Sequence, residues 1–96
     1  MAVTKTLYRI CKKSIQSGYV ISNNEGLEPT DDVIKAWIAM EDALEVLDEF
    51  QIYLWQGGEI VGTFYIVDNR DKWDTEAVIS DYDGIDEHDD FMSKLV

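Results

Sequence analysis

The chain has 96 residues, a length that predicts one domain spanning residues 1–96. Its 20 acidic and 8 basic residues give a formal net charge of −12, which excludes a protein that contacts nucleic-acid phosphates over most of its surface. The hydrophobic fraction of 46% excludes wholesale disorder, and the apolar runs are too short to cross a bilayer. We therefore expect a small, acidic, folded domain.

The N-terminal segment differs from the rest of the chain in charge and is ambiguous in structure. Residues 1–24 contain four bases and no acid, whereas residues 25–96 contain all 20 acids and four bases. A helix would place the apolar residues of this segment opposite its bases. The β-favouring residues around Tyr8 and Tyr19–Ile21 would instead form a hairpin, with a loop at Gly18. The hairpin is the structure that we predict.

Cys11 is the single cysteine, so the chain can form no internal disulfide. A nucleophilic cysteine needs a basic partner, and the one histidine, His88, lies in an acidic run that favours its charged form. We therefore expect Cys11 to be a small half-buried side chain and His88 to be solvated. The first residues lack the apolar stretch of a signal peptide, which predicts a cytoplasmic protein (of the host cell, if the gene is phage-borne).

A helix is predicted from Thr30 to Glu49, directly after the one proline, Pro29. Thr30 would cap its N-terminus, and the acids at positions 31 and 32 would interact favourably with the helix dipole. The apolar stripe of this helix would be Val33, Ile34, Trp37, Met40, Leu44 and Leu47. Its acidic side would carry Asp42, Glu45 and Glu49.

The strongest hairpin signal is Gly57–Gly58, which lies between β-favouring runs at 51–56 and 59–67. A two-residue turn would pair Trp55 with Ile60 and Tyr53 with Gly62. One face of the sheet would then carry Tyr53, Trp55, Ile60, Phe64 and Ile66, and the other Ile52, Leu54, Val61, Thr63, Tyr65 and Val67. Because both faces are apolar, one helix cannot cover the whole sheet.

The C-terminal part predicts one more strand and a short helix. The strand would be Glu76–Tyr82, and the helix Asp86–Leu95, with Phe91, Met92 and Leu95 facing inward as a second cover for the sheet. The predicted fold class is α+β: an antiparallel β-sheet with one main helix packed on a face, in the order ββαβββα.

Residue patterns typical of enzymes and metal sites are sparse. The chain has no glycine-rich phosphate loop, no Cys-x-x-Cys and no His-x-His. The run Asp81–Glu87 resembles part of a calcium-binding loop, but Gly84 at the sixth position places Ile79 at the first, where a ligand is required. That pattern leaves room only for a weak divalent-ion site. We predict no metal, no cofactor and no enzymatic activity.

The amount and spacing of negative charge suggest a binding role. A domain of this length is roughly 30 Å across, and duplex DNA carries about 18 charges over that distance, close to the 20 carboxylates here. On a helix, Glu41, Glu45 and Glu49 would recur about every 6 Å, the scale on which phosphates follow one another along a strand. Such carboxylates could occupy the Lys and Arg sites of a DNA-binding protein. The surplus aromatics, which are favoured interface anchors, are Tyr53, Trp55, Tyr65, Trp73 and Tyr82.

Residues 51–83 resemble the first domain of ArdA-type antirestriction proteins. The similarity lies in Tyr53, the run Gly58–Phe64 and the run Ala77–Tyr82, and it covers about a third of the chain. Members of that family are elongated acidic DNA mimics that occupy the DNA groove of type I restriction enzymes. The resemblance implies an anti-defence protein of a phage or mobile element, and it transfers no functional residue.

We therefore predict a non-enzymatic acidic inhibitor that binds a basic DNA- or RNA-binding protein, such as a nuclease or a defence complex, by electrostatic and steric occlusion. It would contact neither nucleic acid nor membrane. The alternatives are an adaptor module that forms a homodimer through an aromatic sheet face, and an immunity protein against a basic nuclease toxin. The predicted partner-binding residues are Asp42, Glu45, Glu49, Asp81, Asp83, Asp86, Glu87, Asp89, Asp90, Tyr53 and Trp55.

Overall fold

A computed structural model describes residues 5–69 and 76–96 and arranges them as a sheet with helices. The elements are α1 (Lys5–Gln16), β1 (Val20–Asn23), α2 (Val33–Val46), β2 (Glu49–Gln56), β3 (Glu59–Asn69), β4 (Glu76–Gly84) and α3 (Glu87–Ser93). The strands form an antiparallel sheet in the order β1-β2-β3-β4. The α+β class and the antiparallel sheet are therefore confirmed. Trp73, one of the predicted surplus aromatics, lies outside the described residues.

The N-terminal segment is a helix, so the predicted N-terminal hairpin and the order ββαβββα are wrong. Leu7, Ile10, Cys11 and Ser14 are buried on one side of α1, and its four bases are exposed on the other. An amphipathic face that packs against a core stabilises a helix more than the β-propensity of single residues opposes it. Of the predicted hairpin, the run Val20–Asn23 does form a strand.

The central helix is shorter than predicted at both ends. Asp32, not Thr30, caps it, and the Asp32 side chain accepts a hydrogen bond from the Lys35 backbone N–H at 3.1 Å. Thr30 instead pairs with Ile21 beside β1. The helix ends at Val46, and Glu49 begins β2, so the predicted helical position of Glu49 is wrong.

The predicted apolar stripe of α2 contacts the core except at Ile34. Met40 and Leu44 are buried, and Val33, Trp37 and Leu47 are partly buried against the core, as expected. Ala36, Glu41 and Ala43 are buried as well. Ile34, which we expected to face inward, is 52% exposed.

The turn between β2 and β3 forms as predicted. Gly57 and Gly58 both have positive φ, at 62° and 79°, as a two-residue hairpin turn requires. Trp55 pairs with Ile60, also as predicted.

One residue further from the turn, the predicted register is wrong. A β-bulge between Leu54 and Trp55 places Tyr53 opposite Thr63 instead of Gly62. A shift of one residue moves side chains to the other face of a sheet. As a result Phe64 is buried on the same face as Leu54, and Tyr65 joins Tyr53 on the other face.

Side chains from α1, α2 and α3 pack into one core with the inner face of the sheet, which carries Phe50, Ile52, Leu54, Phe64 and Ile66. The α3 residue Met92 lies over two glycines of this face. A Cβ atom at Gly62 would lie 2.5 Å from the Met92 sulfur, and one at Gly84 would lie 2.7 Å from the backbone of Asp89. Met92 and Leu95 are buried as predicted, but α3 covers the inner face and does not shield the second face of the sheet.

The opposite side of the sheet is called the outer face below. The cross-strand register places on it Val20, Ser22, Glu49, Gln51, Tyr53, Trp55, Ile60, Thr63, Tyr65, Val67, Asp81 and Asp83. Tyr82 belongs to the inner face with Phe64, so it is not one of the surplus aromatics.

Candidate partner-binding surface

The outer face brings together five of the eleven predicted partner-binding residues: Glu49, Tyr53, Trp55, Asp81 and Asp83. Two rows of side chains cross it from β2 through β3 to the edge strand β4. The first row is Gln51, Tyr65 and Asp81, and the second is Tyr53, Thr63 and Asp83. Each row thus joins an aromatic ring to an exposed carboxylate on β4.

The carboxylates of this face are exposed and have no ion-pair partner in the part of the chain that the structure describes. Glu49, Asp81 and Asp83 form no ion pair with a lysine or arginine among residues 5–69 and 76–96. The bases of those residues belong to the helices or follow α3: Lys5, Arg9, Lys12, Lys13, Lys35 and Lys94. Among the described residues the outer face therefore carries carboxylates and no base, whereas α1 presents a basic side.

Hydrogen bonds fix the aromatic side chains of the outer face. The Tyr53 hydroxyl donates to Gln51 Oε1 at 2.9 Å, and Trp55 Nε1 donates to Ser22 Oγ at 2.8 Å. Both rings are half-buried between neighbouring strands. Because these side chains are already ordered, a partner that packs on them would lose little conformational entropy in fixing them.

An open-sided pocket of about 340 Å³ lies at the end of the outer face that contains Glu49. Its lining residues are Asn24, Glu49, Phe50, Gln51, Tyr65, Ile66, Val67 and Ser80. The loop after β1 closes one side of the pocket, because the Gln51 backbone N–H donates to Asn24 Oδ1 at 2.9 Å. Ser80 Oγ donates to the Tyr65 carbonyl at 3.1 Å on another side.

Sequence reasoning missed Asn24, Gln51 and Ser80 as parts of this surface. The available signal was weak, because a polar residue within an apolar strand also occurs at ordinary solvent-facing positions. The position of Asn24 beside β2 depends on pairing between residues 27 positions apart, which a local pattern does not report.

The two predicted acids on α2 lie away from the outer face. Asp42 and Glu45 are exposed. The helix α2 that carries them packs on α1, β1 and β2, on the side of the sheet opposite the outer face. Asp42 borders a groove of about 440 Å³ beside Ile38 and Val46. Because Glu49 lies in β2, the predicted helical series of acids is broken, and Glu41 is itself buried.

The acids of α3 form a third group. Asp86, Glu87, Asp89 and Asp90 are exposed at the start of α3, which packs on β3 and β4. Asp86 precedes the helix with a φ of 52°, a backbone conformation that few non-glycine residues adopt. The eleven predicted residues therefore belong to three surfaces, which are the outer face, the exposed side of α2 and the start of α3.

His88 is buried, so the expected solvated histidine is wrong. The side chain is 8% exposed, and its Nδ1 hydrogen-bonds to the Tyr19 hydroxyl at 2.6 Å. The Glu87 carboxylate lies 3.9 Å from Nε2. Burial, and secondarily the charge of Glu87, raises the pKa of Tyr19. This pair connects α3 to the start of β1 in the core and has a structural role.

Cys11 is fully buried, deeper than the half-buried position that we expected. Burial raises the pKa of the Cys11 thiol to about 12, so the nucleophilic thiolate is negligible near neutral pH. Within the described ranges, no group of three or more His, Cys, Asp or Glu side chains is arranged to hold a metal ion. Nor does any helix of those ranges have the length and apolar character needed to span a bilayer.

Comparison of the chain with protein-family models, curated proteins and solved structures found no match. The resemblance to ArdA-type proteins therefore stays a prediction, and a functional proposal has to rest on the geometry of the surface itself.

Proposed function

We propose that this protein is a non-enzymatic inhibitor that binds a basic nucleic-acid-binding protein and blocks its nucleic-acid site. The observation that carries the proposal is the composition of the outer face. Glu49, Asp81 and Asp83 share it with tyrosine and tryptophan side chains, and none of these carboxylates forms an ion pair with a described lysine or arginine. Acidic surfaces with aromatic anchors suit basic partners, since the charges steer association and the rings supply contact area.

Charge spacing supports the same partner class. Asp81 and Asp83 are two residues apart on one strand and share a face, which separates them by about 7 Å. This distance resembles the phosphate repeat along a nucleic-acid strand, and here β4 provides it instead of the predicted helix.

The partner class includes nucleases and defence complexes, with type I restriction enzymes as the first candidates because of the ArdA-type resemblance. An immunity protein against a basic nuclease toxin would use the same surface in the same way. The cytoplasmic setting belongs to this proposal, since these partners act on intracellular nucleic acid.

The test measures inhibition of nucleic-acid binding by candidate partners, beginning with a type I restriction enzyme and a set of basic nucleases. We expect the protein to compete with duplex DNA, and the complex to weaken at least tenfold between 50 and 200 mM salt, as polyanion binding does. Asp81→Asn together with Asp83→Asn should weaken inhibition strongly. The matched control is Glu25→Gln with Glu28→Gln, which removes two exposed acids outside the outer face.

Two results would contradict the proposal. One is a complex whose affinity is independent of salt. The other is a partner that binds this protein and DNA simultaneously, because occlusion requires the two ligands to exclude each other.

A second candidate function is a homodimeric adaptor, and the aromatic content of the outer face favours it. In that case Trp55→Ala and Tyr65→Ala would convert a dimer into a monomer in sedimentation experiments, while charge changes on β4 would have little effect. The three carboxylates oppose this arrangement, since two copies of one acidic face repel each other.

A further inference from the structure

We infer that the pocket on the outer face binds an arginine side chain of the partner protein. This inference rests on the proposed function and identifies the group that the surface recognises. The pocket of about 340 Å³ is at the small end of ligand-binding pockets, a size that suits one long side chain. Phe50 and Ile66 also border it, and both residues belong to the core on the inner face.

The polar groups of the pocket favour a cation with several donors. Glu49 is one of the lining residues, is exposed and has no ion pair among the described residues. Ser80 Oγ donates to the Tyr65 carbonyl and so retains lone pairs that can accept. A guanidinium presents five N–H donors in one plane and no acceptor, which matches a carboxylate and a hydroxyl oxygen placed around one site.

The Tyr65 ring distinguishes arginine from lysine. Tyr65 is one of the lining residues of the pocket, and its side chain lies on the outer face between those of Gln51 on β2 and Asp81 on β4. A guanidinium can stack flat on an aromatic ring while its edge bonds to a carboxylate, whereas the strongly hydrated lysine ammonium cannot stack. Glu49 on the lining and Asp81 beside it also disfavour a phosphate or another anion.

The position of Asp81 indicates that the partner would contact β4 as well as the pocket. Its carboxylate faces away from the helices on the strand next to Tyr65, and Asp83 follows two residues later. A partner segment with its arginine in the pocket would therefore place neighbouring bases along β4. The occupant that fits is a basic segment containing arginine at one defined position.

The experiment compares capped hexa-arginine and hexa-lysine peptides, which carry equal charge, by fluorescence anisotropy at two ionic strengths. We expect hexa-arginine to bind about two- to fivefold more tightly, the range for a ring–cation contact at an accessible site. In an NMR titration, the backbone amides of Gln51, Tyr65 and Ser80 should shift more with the arginine peptide than with the lysine peptide.

Variants of the pocket should remove the preference without removing general attraction to basic peptides. Glu49→Gln and Tyr65→Leu are expected to bring the two affinities together, whereas Tyr65→Phe, which retains the ring, should keep most of the difference. Glu45→Gln is the matched control, because it removes the same charge from an exposed site on α2.

The outcomes separate this inference from the proposed function. Equal affinity of the wild-type protein for the two peptides, or an equal effect of Glu49→Gln and Glu45→Gln, overturns the arginine pocket. If Asp81→Asn and Asp83→Asn still weaken both peptides in that case, the proposed acidic surface stands. Absence of binding by either peptide at low salt overturns both.

Discussion

The inner and outer faces of the sheet consist of alternating residues of the same strands, yet they differ in almost every physical property. Inner-face residues such as Leu54 and Phe64 are fully buried and belong to the core that the sheet forms with the helices. Their neighbours on the outer face, such as Tyr53 and Tyr65, are half-buried, and exposed carboxylates lie beside them on β4. The inner face therefore supplies most of the hydrophobic stabilisation, and the outer face can carry unpaired charge because the core does not depend on it.

The difference between the two faces is tested most directly by truncating adjacent residues of β3. Phe64→Ala should lower the free energy of unfolding by about 3–5 kcal/mol, because it removes a fully buried ring and leaves a cavity. Tyr65→Ala, one residue later on the outer face, should cost about 1 kcal/mol or less. Urea denaturation followed by circular dichroism measures both losses, and similar values would show that the outer face is covered in solution.

The contact between α3 and the inner face gives the next largest effect. Gly84→Ala should cost about 1–3 kcal/mol, because its Cβ would lie 2.7 Å from the backbone of Asp89, which cannot move without displacing the helix. Gly62→Ala should cost less, since its nearest obstacle is the flexible side chain of Met92.

A double variant tests that explanation. Met92→Ala should reduce the further loss caused by Gly62→Ala, while the loss caused by Gly84→Ala should stay large. Thermal denaturation of the wild type, the three single variants and the two double variants measures the two coupling energies. Equal coupling at both glycines would contradict the proposed difference between a side-chain and a backbone obstacle.

The position of Gly62 under Met92 also shows where prediction from the sequence failed. The turn at Gly57–Gly58 and the burial of Met92 follow from local chemistry and were predicted. The bulge after Leu54 was not predicted. Both alternating sets of side chains in the run from Ile60 to Val67 are mostly apolar, so either set could face the core. The register agrees with a distant contact that no local pattern reports, since Met92 lies over the inner-face position that Gly62 occupies.

The candidate surface was also predictable only in part. Composition identified its acids and aromatic anchors, and the register then determined which of them share a face. The helix α1 was missed because its helical and strand signals were nearly balanced, and only the packing of Leu7 and Ile10 into the core distinguishes them. The pocket depends on Asn24 lying beside Gln51, a tertiary contact with no local pattern.

Alkaline pH should lower the free energy of unfolding, because it ionises buried groups. The folded-state pKa of Cys11 is raised to about 12 from 9.0, so its contribution to stability is complete below pH 9 and is lost as the pH rises towards 12. The free energy of unfolding should therefore fall in that window by on the order of 1 kcal/mol per pH unit. Tyr19, whose folded-state pKa is raised from 10.0, adds to the fall above pH 10.

Chemical denaturation at several pH values between 8 and 11 measures this slope. Cys11→Ala is the control: it lowers stability at every pH because it changes the core, but its stability should fall less steeply above pH 9. A slope unchanged by the substitution would mean that the thiol ionises equally easily in the folded and unfolded chains.

The smallest expected effect is the one that separates binding from folding. Asp81→Asn with Asp83→Asn should change the free energy of unfolding by no more than about 0.5 kcal/mol, because both side chains are exposed and have no ion pair with a described base. The change should be stabilising, because the negative charges repel one another and the variant removes two of them from a net charge of −12.

Added salt should therefore raise the melting temperature of the wild type more than that of the variant. A loss above 1 kcal/mol would assign the two acids to the structure of the sheet, and a binding defect in the variant could then no longer be attributed to direct contact with a partner.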